Sequence, residues 1–335
     1  MKLVVFGTSE FAVPVLEALA ERHDVVGVVT QPDRPAGRGQ KVVATPVKRA
    51  AEARGLRVLT PEKLKPFVDD ARALGGDAFV VASYGKIVPQ VLLDAVPVAF
   101  NVHPSLLPLY RGATPLQSAI RDGRTQTGVT IIAMDAGMDT GDVLLQEPTP
   151  IGATETYGEL HDRLARRGAE MVLDAVGRYA NGRLTRTAQA AVAHQLGIDD
   201  DEIERTRTRP LGKEGLLIPS GLTAKRTVDF VRSLARSPGA RSRDGFFLYG
   251  RAKILCAHVD PGGPLIPAAM ADPGRIVAVE GRLWIEATDG VVAVDELIVP
   301  GGKPVTAEQY RAGNRDRTGP AELLPILLGY QGVVR

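Results

Sequence analysis

The chain carries a single cysteine, Cys256, in 335 residues. That excludes an internal disulfide framework and any cysteine-rich metal site. Cys256 lies in the apolar run Lys253-Ile254-Leu255-Cys256-Ala257, where a small buried hydrophobe is the expected role. Long apolar runs are lacking too: none approaches the roughly 20 residues of a membrane span. The first run, Leu3–Phe6, is too short for a signal peptide and reads as a strand, so a cytoplasmic protein is expected. An excess of one charge is also missing. Formal net charge is +2, so any surface for nucleic acid must be local. The first strand-turn, Gly7-Thr8-Ser9-Glu10-Phe11, lacks the glycine pattern of a dinucleotide fingerprint, and no Walker lysine follows a strand. This disfavours a dehydrogenase or a nucleoside-triphosphate enzyme. No metal-ligand cluster stands out, so no metal is expected.

What is present is 44% hydrophobic residues, enough for two domains with real cores. Up to about residue 182, apolar runs alternate with helical spacings. Strands are expected at 3–6, 25–30, 57–59, 78–82, 98–102, 128–134 and 143–147. Helices are expected at 11–22, 46–54, 62–74, 89–95, 114–122 and 156–180. Strands that are apolar throughout, separated by amphipathic helices, predict a doubly wound, mostly parallel α/β sheet over 1–182. Residues 183–213 run from acidic to basic and read as an exposed linker with room for a short helix. Thr223–Arg236 has helical spacing, and short strands with turns from Phe246 onward predict a small β-barrel of the oligonucleotide-binding type within 214–335.

Such sheets bind ligands beyond the carboxyl ends of their strands, where Gly7, Gln31, Tyr84, Asn101, His103 and Asp139 are all expected. The most informative stretch is Asn101-Val102-His103-Pro104-Ser105-Leu106-Leu107-Pro108. Residues i and i+2 of a strand share a face, so Asn101 and His103 address one centre while Val102 faces packing. An imidazole takes a proton, and an amide N–H holds developing negative charge. Asp139 follows the strand Val129–Met134, with Gly137 and Gly141 two residues to either side. It is either a turn former, as Asp135 and Asp142 are read, or a carboxylate that orients His103. In Arg111-Gly112-Ala113-Thr114-Pro115, Thr114 and Pro115 suit a helix N-cap and first turn, with or without a ligand at Gly112.

Two stretches carry positive charge. Gln31-Pro32-Asp33-Arg34-Pro35-Ala36-Gly37-Arg38-Gly39-Gln40-Lys41 is a basic loop whose prolines and glycines oppose regular structure. It is either a solvated loop or a projecting arm that folds onto a polyanion. Between Arg205 and Lys253, twelve basic residues face three acids, a local charge that would attract phosphates.

Over about residues 1–180 these motifs resemble the methionyl-tRNA formyltransferase family. The matching stretches are Phe6-Gly7-Thr8 with Phe11-Ala12, the Gln31–Gly39 loop, Tyr84-Gly85, Asn101–Pro108, Tyr110-Arg111-Gly112-Ala113, and Met134–Gly141. The resemblance implies 10-formyltetrahydrofolate as co-substrate and initiator methionyl-tRNA as acceptor. It implies catalytic roles for Asn101, His103 and Asp139, and folate contacts at Ser105, Leu106, Leu107, Pro108, Tyr84, Gly85 and Ile87. It further implies tRNA contacts at Arg34, Arg38 and Lys41, and a monomer. The alternatives are a formyltransferase for an amino-sugar nucleotide, which would not need the basic arm, and a non-catalytic tRNA-binding relative. Residues 183–245 depart from the family: Lys213-Glu214-Gly215 leads to Leu217-Ile218-Pro219-Ser220, and Ala235-Arg236-Ser237-Pro238-Gly239-Ala240 replaces an Asn-Pro-Trp-Pro-Gly-Ala run.

Overall fold

Residues 3–6 and 78–82 are apolar at every position, which suits strands covered on both faces, and all of them are buried. The computed structural model describes residues 1–36, 41–211, 221–235, 246–248, 252–263, 276–279, 282–298 and 303–312. In chain order the elements are β1 (Lys2–Gly7), α1 (Ala12–Arg22), β2 (Asp24–Val29), β3 (Arg34–Ala36), β4 (Lys41–Val43), α2 (Pro46–Ala53), β5 (Val58–Leu59), α3 (Val68–Ala73), β6 (Ala78–Ala82), α4 (Gln90–Leu93), β7 (Ala99–His103), α5 (Pro115–Arg121), β8 (Gln126–Ala133) and β9 (Val143–Pro150). There follow α6 (Tyr157–Ala180), α7 (Gln189–Leu196), α8 (Asp200–Arg205), α9 (Ala224–Leu234), β10 (Phe246–Leu248), β11 (Ala252–Val259), β12 (Ile276–Val279), β13 (Arg282–Ala287), β14 (Gly290–Ile298), β15 (Pro304–Thr306) and α10 (Ala307–Ala312).

The chain forms two compact units. The first comprises 1–115, 126–150 and 161–209; the second comprises 116–125, 151–160 and 210–335. In the first, one sheet runs β5-β2-β1-β6-β7-β8-β9. Its first five strands are parallel, and β8 and β9 are antiparallel. The chain winds outward from β1 to β5 and returns on the other side at β6, so the strand order reverses between β1 and β6. Helices form where the spacing predicts: α1 buries Ala12, Val15, Leu16 and Leu19 at helical intervals. Thr45 caps α2 by accepting from Lys48 N, with Pro46 in the first turn.

Three expectations change in this unit. The basic arm has regular structure: β3 and β4 pair as an antiparallel ribbon, Arg34 opposite Val43. Extended Pro35 tolerates an edge position because it needs no ladder donor there. Asp139 does not leave the carboxyl end of a parallel strand. It lies between β8 and β9, and β8 runs antiparallel, so Ala133 ends beside Phe100. Residues 183–209 are no free linker: they carry α7 and α8 and belong to the first unit.

The second unit holds an antiparallel sheet, β10-β11-β14-β13-β12, with β15 also on β14. Along one edge β14 pairs β13 at residues 290–293 and β15 at 296–298, while β11 occupies the other edge. A strand shared in this way curls a small sheet around its core. Phe230, Val231 and Leu234 of α9 pack with Ile254, Leu283, Ile285, Val292 and Leu297 in that core. Cys256 is exposed rather than buried. The ladder slips between Ile254 and Ala257, so both of those residues point inward and Cys256 outward. Arg232 is buried and ion-paired to buried Asp229 at 2.9 Å, and Lys225 meets the same carboxylate at 2.8 Å. Two of the basic residues counted between 205 and 253 therefore hold α9 together and are not spare surface charge. Lys213, Arg236, Arg241, Arg243 and Arg251 lie outside the described residues.

Candidate active site

β7 presents Asn101 and His103 on one face and Val102 on the other. The reverse face is filled by α6 at Gly168, where a Cβ would lie 2.6 Å from Val102 Cγ1. This close backing holds the strand in place. Asn101 is 8% exposed and His103 4%.

The hairpin loop between β8 and β9 folds back so that Asp139 reaches both. Asn101 Nδ2 donates to Asp139 Oδ1 at 3.1 Å, and His103 Nδ1 lies 3.6 Å from Asp139 Oδ2. Gly112 N donates to the same Oδ2 at 2.9 Å. Asp139 itself has φ +56°, a conformation that costs a non-glycine residue of order 1–3 kcal/mol and persists only where surroundings impose it. Asp135 is a turn former, as expected: its Oδ1 accepts from Gly137 N at 3.0 Å and Thr140 Oγ1 at 2.7 Å.

His103 Nε2 lies 3.0 Å from the carbonyl oxygen of Tyr110. A carbonyl only accepts, so Nε2 bears a proton. The nitrogen with acid–base freedom is Nδ1, which faces Asp139.

The loop after β7 rests on one buried hydroxyl. Thr130 Oγ1 donates to Ser105 O at 2.6 Å and accepts from Leu107 N at 3.2 Å and Gln146 Nε2 at 2.9 Å. Ser105 Oγ turns back to Leu109 O at 2.8 Å, and the Leu107–Pro108 peptide is cis. The segment expected to contact folate is mostly buried through its side chains. Ser105, Leu107 and Pro108 are buried, with Leu107 packed against Ile132, Val143 and Val192; Leu106 is the partly exposed side chain.

Residues 83–88 leave β6 beside this loop, since Ala82 pairs with Val102. Gly85 has φ +78° and Ile87 is 67% exposed, as a ligand-facing apolar residue would be. Tyr84 faces inward. Its ring is buried, edge-on to Phe6 at 5.5 Å, its hydroxyl has no hydrogen-bond partner among the described residues, and burial pushes the phenol up to about 12. Its carbonyl is taken by Thr8 Oγ1 at 2.7 Å and Gln31 Nε2 at 2.9 Å. The aromatic body is core because the residue closes the apolar strand β6.

Sequence reasoning missed the strap formed by residues 187–209. Thr187 and Val143 exchange backbone hydrogen bonds of 2.8 and 2.9 Å. Thr208 N donates to Arg111 O at 2.8 Å, its hydroxyl accepts from Thr114 N at 3.0 Å, and Thr114 Oγ1 donates to Arg209 O at 3.0 Å. Gly112 is required at this crossing: φ is +111°, and a Cβ would lie 2.2 Å from Thr208 O. Arg111 is drawn below the usual guanidinium value by burial and by neighbouring Arg207. Arg34 is exposed on the β3–β4 ribbon, whereas Arg38 and the Lys41 side chain lie outside the described residues.

The first unit has the architecture of the formyl transferases. Residues 1–176 match the family model described as formyl transferase, and 215–315 match the formyl transferase C-terminal domain. An N-formyltransferase from Helicobacter canadensis, solved with folinic acid and dTDP-3-aminofucose, shares the fold: TM-score 0.60 at 18% identity, over 88% of this chain and 98% of that one. The methionyl-tRNA formyltransferase of Ruminiclostridium cellulolyticum is 38% identical over 95% of this chain and 98% of its own length. That of Symbiobacterium thermophilum is 40% identical over 95% of this chain and 94% of its own. The chain belongs to the methionyl-tRNA formyltransferase family.

Proposed function

We propose that this protein transfers the formyl group of 10-formyltetrahydrofolate to the α-amino group of methionyl initiator tRNA, as a monomer in the cytoplasm. The observation that carries the reading is the Asp139 carboxylate placed between the Asn101 amide and the His103 imidazole, in a chain 38–40% identical to enzymes of that name. The residues around the site suit a folate. Exposed Ile87 and partly exposed Leu106 and Pro104 offer an apolar wall, and the glycine at 85 allows close backbone approach. Among the described residues no cluster suited to a metal ion occurs.

The folate supplies a formyl carbon bonded to nitrogen N10. An α-amino group has a pKa of about 8, so a share of it is free amine at neutral pH; that amine attacks, and its nitrogen sheds one proton as the new C–N bond forms. His103 Nδ1 is the acceptor in this reading, because Nε2 is committed to Tyr110 O. General base action of this kind is worth roughly 10²–10⁴ in rate. Asn101 gives one N–H to Asp139 and keeps the second for the formyl oxygen as it gains negative charge. Asp139 steadies the protonated imidazole, which then delivers the proton to N10. The new C–N bond forms to the amine, the C–N10 bond breaks, and tetrahydrofolate leaves with the proton.

Arg34, with Arg38 and Lys41, is read as the tRNA-binding arm. The test is direct: supply the folate donor with either Met-tRNA or amino-sugar nucleotides and follow the one-carbon unit. Formylated Met-tRNA supports the reading; formylation of the sugar alone overturns it.

A further inference from the structure

Gln189 is 4% exposed and opens α7. Its Nε2 donates to the carbonyl oxygens of Asp139 and Gly141, each at 2.8 Å. Its Oε1 accepts from Arg111 Nε at 3.0 Å and Nη2 at 2.7 Å. A carboxamide offers two N–H groups and an oxygen with two lone pairs, so this side chain is saturated.

Its partners lie on the two loops that define the catalytic carboxylate. Asp139 and Gly141 belong to the loop that folds over Asn101 and His103. Gly141 passes so near β8 that a Cβ there would lie 1.8 Å from Ala133 O. Arg111 precedes Gly112, whose N–H meets Asp139 Oδ2. The bonds close a ring: Gln189 to the Asp139 backbone, the Asp139 carboxylate to Gly112, and the Arg111 side chain back to Gln189. α7 is itself anchored, through the Thr187–Val143 pair on one side and Val192 packed with Leu107, Ile132 and Val143 on the other.

We propose that Gln189 is a positioning residue for formyl transfer, holding the Asp139 carboxylate in register with Asn101 and His103 through the strained backbone that carries it. This rests on the function proposed above. An amide is needed rather than a carboxylate, because two carbonyl oxygens must be met by donors while a guanidinium is met by an acceptor. Displacing a catalytic group by about 1 Å costs on the order of 10²-fold. Loss of the clamp therefore falls on turnover and leaves the substrate-binding surfaces in place.

The test uses the full-length enzyme with Gln189→Leu and Gln189→Glu. Steady-state kinetics are measured with both substrates from about pH 5.5 to 8.5, where a neutral or charged carboxyl meets the carbonyls differently. Amide exchange is followed across residues 135–142. Gln189→Leu is expected to lower kcat about 10- to 100-fold with both KM values nearly unchanged. Gln189→Glu is expected to be slow at neutral pH and to recover relative to wild type as pH falls, because a protonated carboxyl regains one donor. Exchange in the Asp139 loop is expected to quicken in both. Wild-type kcat in Gln189→Leu, or a flat Gln189→Glu to wild-type ratio across pH, overturns the proposal. If Gln189→Leu does not fold, the pH ratio decides alone. A wild-type protein that formylates nothing would sink the function, and amide exchange would still judge the clamp.

Discussion

Asn101 and His103 meet one carboxylate because β7 puts them on the same face and a hairpin loop brings Asp139 back over it. Asn101→Ala removes both the proposed oxyanion donor and a partner of Asp139. Its kcat is expected to fall about 10²- to 10³-fold, while folate binding by equilibrium titration stays near wild type; normal turnover would end the oxyanion role. Gly112→Ala forces a side chain onto Thr208 O at a backbone angle that favours glycine. Urea unfolding should show a loss of about 1–3 kcal/mol, with activity falling in parallel. Tyr84 behaves oppositely, since its hydroxyl is buried without a partner among the described residues. Tyr84→Phe is expected to be neutral or stabilising by up to about 1 kcal/mol in the same assay. The sign with pH is fixed: the folded phenol, pushed up to about 12, holds its proton where the unfolded chain has lost it. Stability therefore falls as pH rises from about 10 toward 12, and Tyr84→Phe abolishes that part of the slope.

At the scale of elements, the parallel strands and α1, α2 and α6 were readable because each writes its burial into a repeating apolar pattern. The strap was not. Its role is carried by Gln189, Thr206, Thr208 and a few small apolar residues, whose spacing resembles any polar connection. Hydrogen bonds to residues some 80 to 100 positions away leave no local period. The arm was misread as irregular because Pro35 and its glycines argue against strands, yet an edge ribbon needs few ladder bonds. Arg34→Ala is expected to raise KM for tRNA several-fold and leave KM for folate unchanged in initial-rate assays. Equal effects on both would argue against an arm. In α9, Asp229→Ala leaves Arg232 buried without its carboxylate, and a loss of about 3–5 kcal/mol is expected on denaturation.

At the scale of the molecule, the proposed binding of a polyanionic acceptor would rest on local clusters of charge, because 41 basic and 39 acidic residues nearly cancel. Raising salt should increase the apparent KM for tRNA steeply and that for the folate little. A flat response in rate measurements would remove the electrostatic account. With Arg232 and Lys225 tied to Asp229, and Arg207 paired with Glu204 at 3.2 Å, the exposed cations of the stretch 205–253 include Arg205 and Arg209.

Composition and periodicity determined that a doubly wound sheet would form. They also put an amide and an imidazole on one face of its fifth parallel strand, since both follow from which side chains avoid water. Only the tertiary structure decided that Asp139 is a partner and not merely a turn, that Tyr84 turns inward, and that Gln189 closes the site. Those outcomes depend on where distant backbone carbonyls come to lie. A chain writes its own burial locally, but the positions of the groups it will meet are set only once the sheet has assembled.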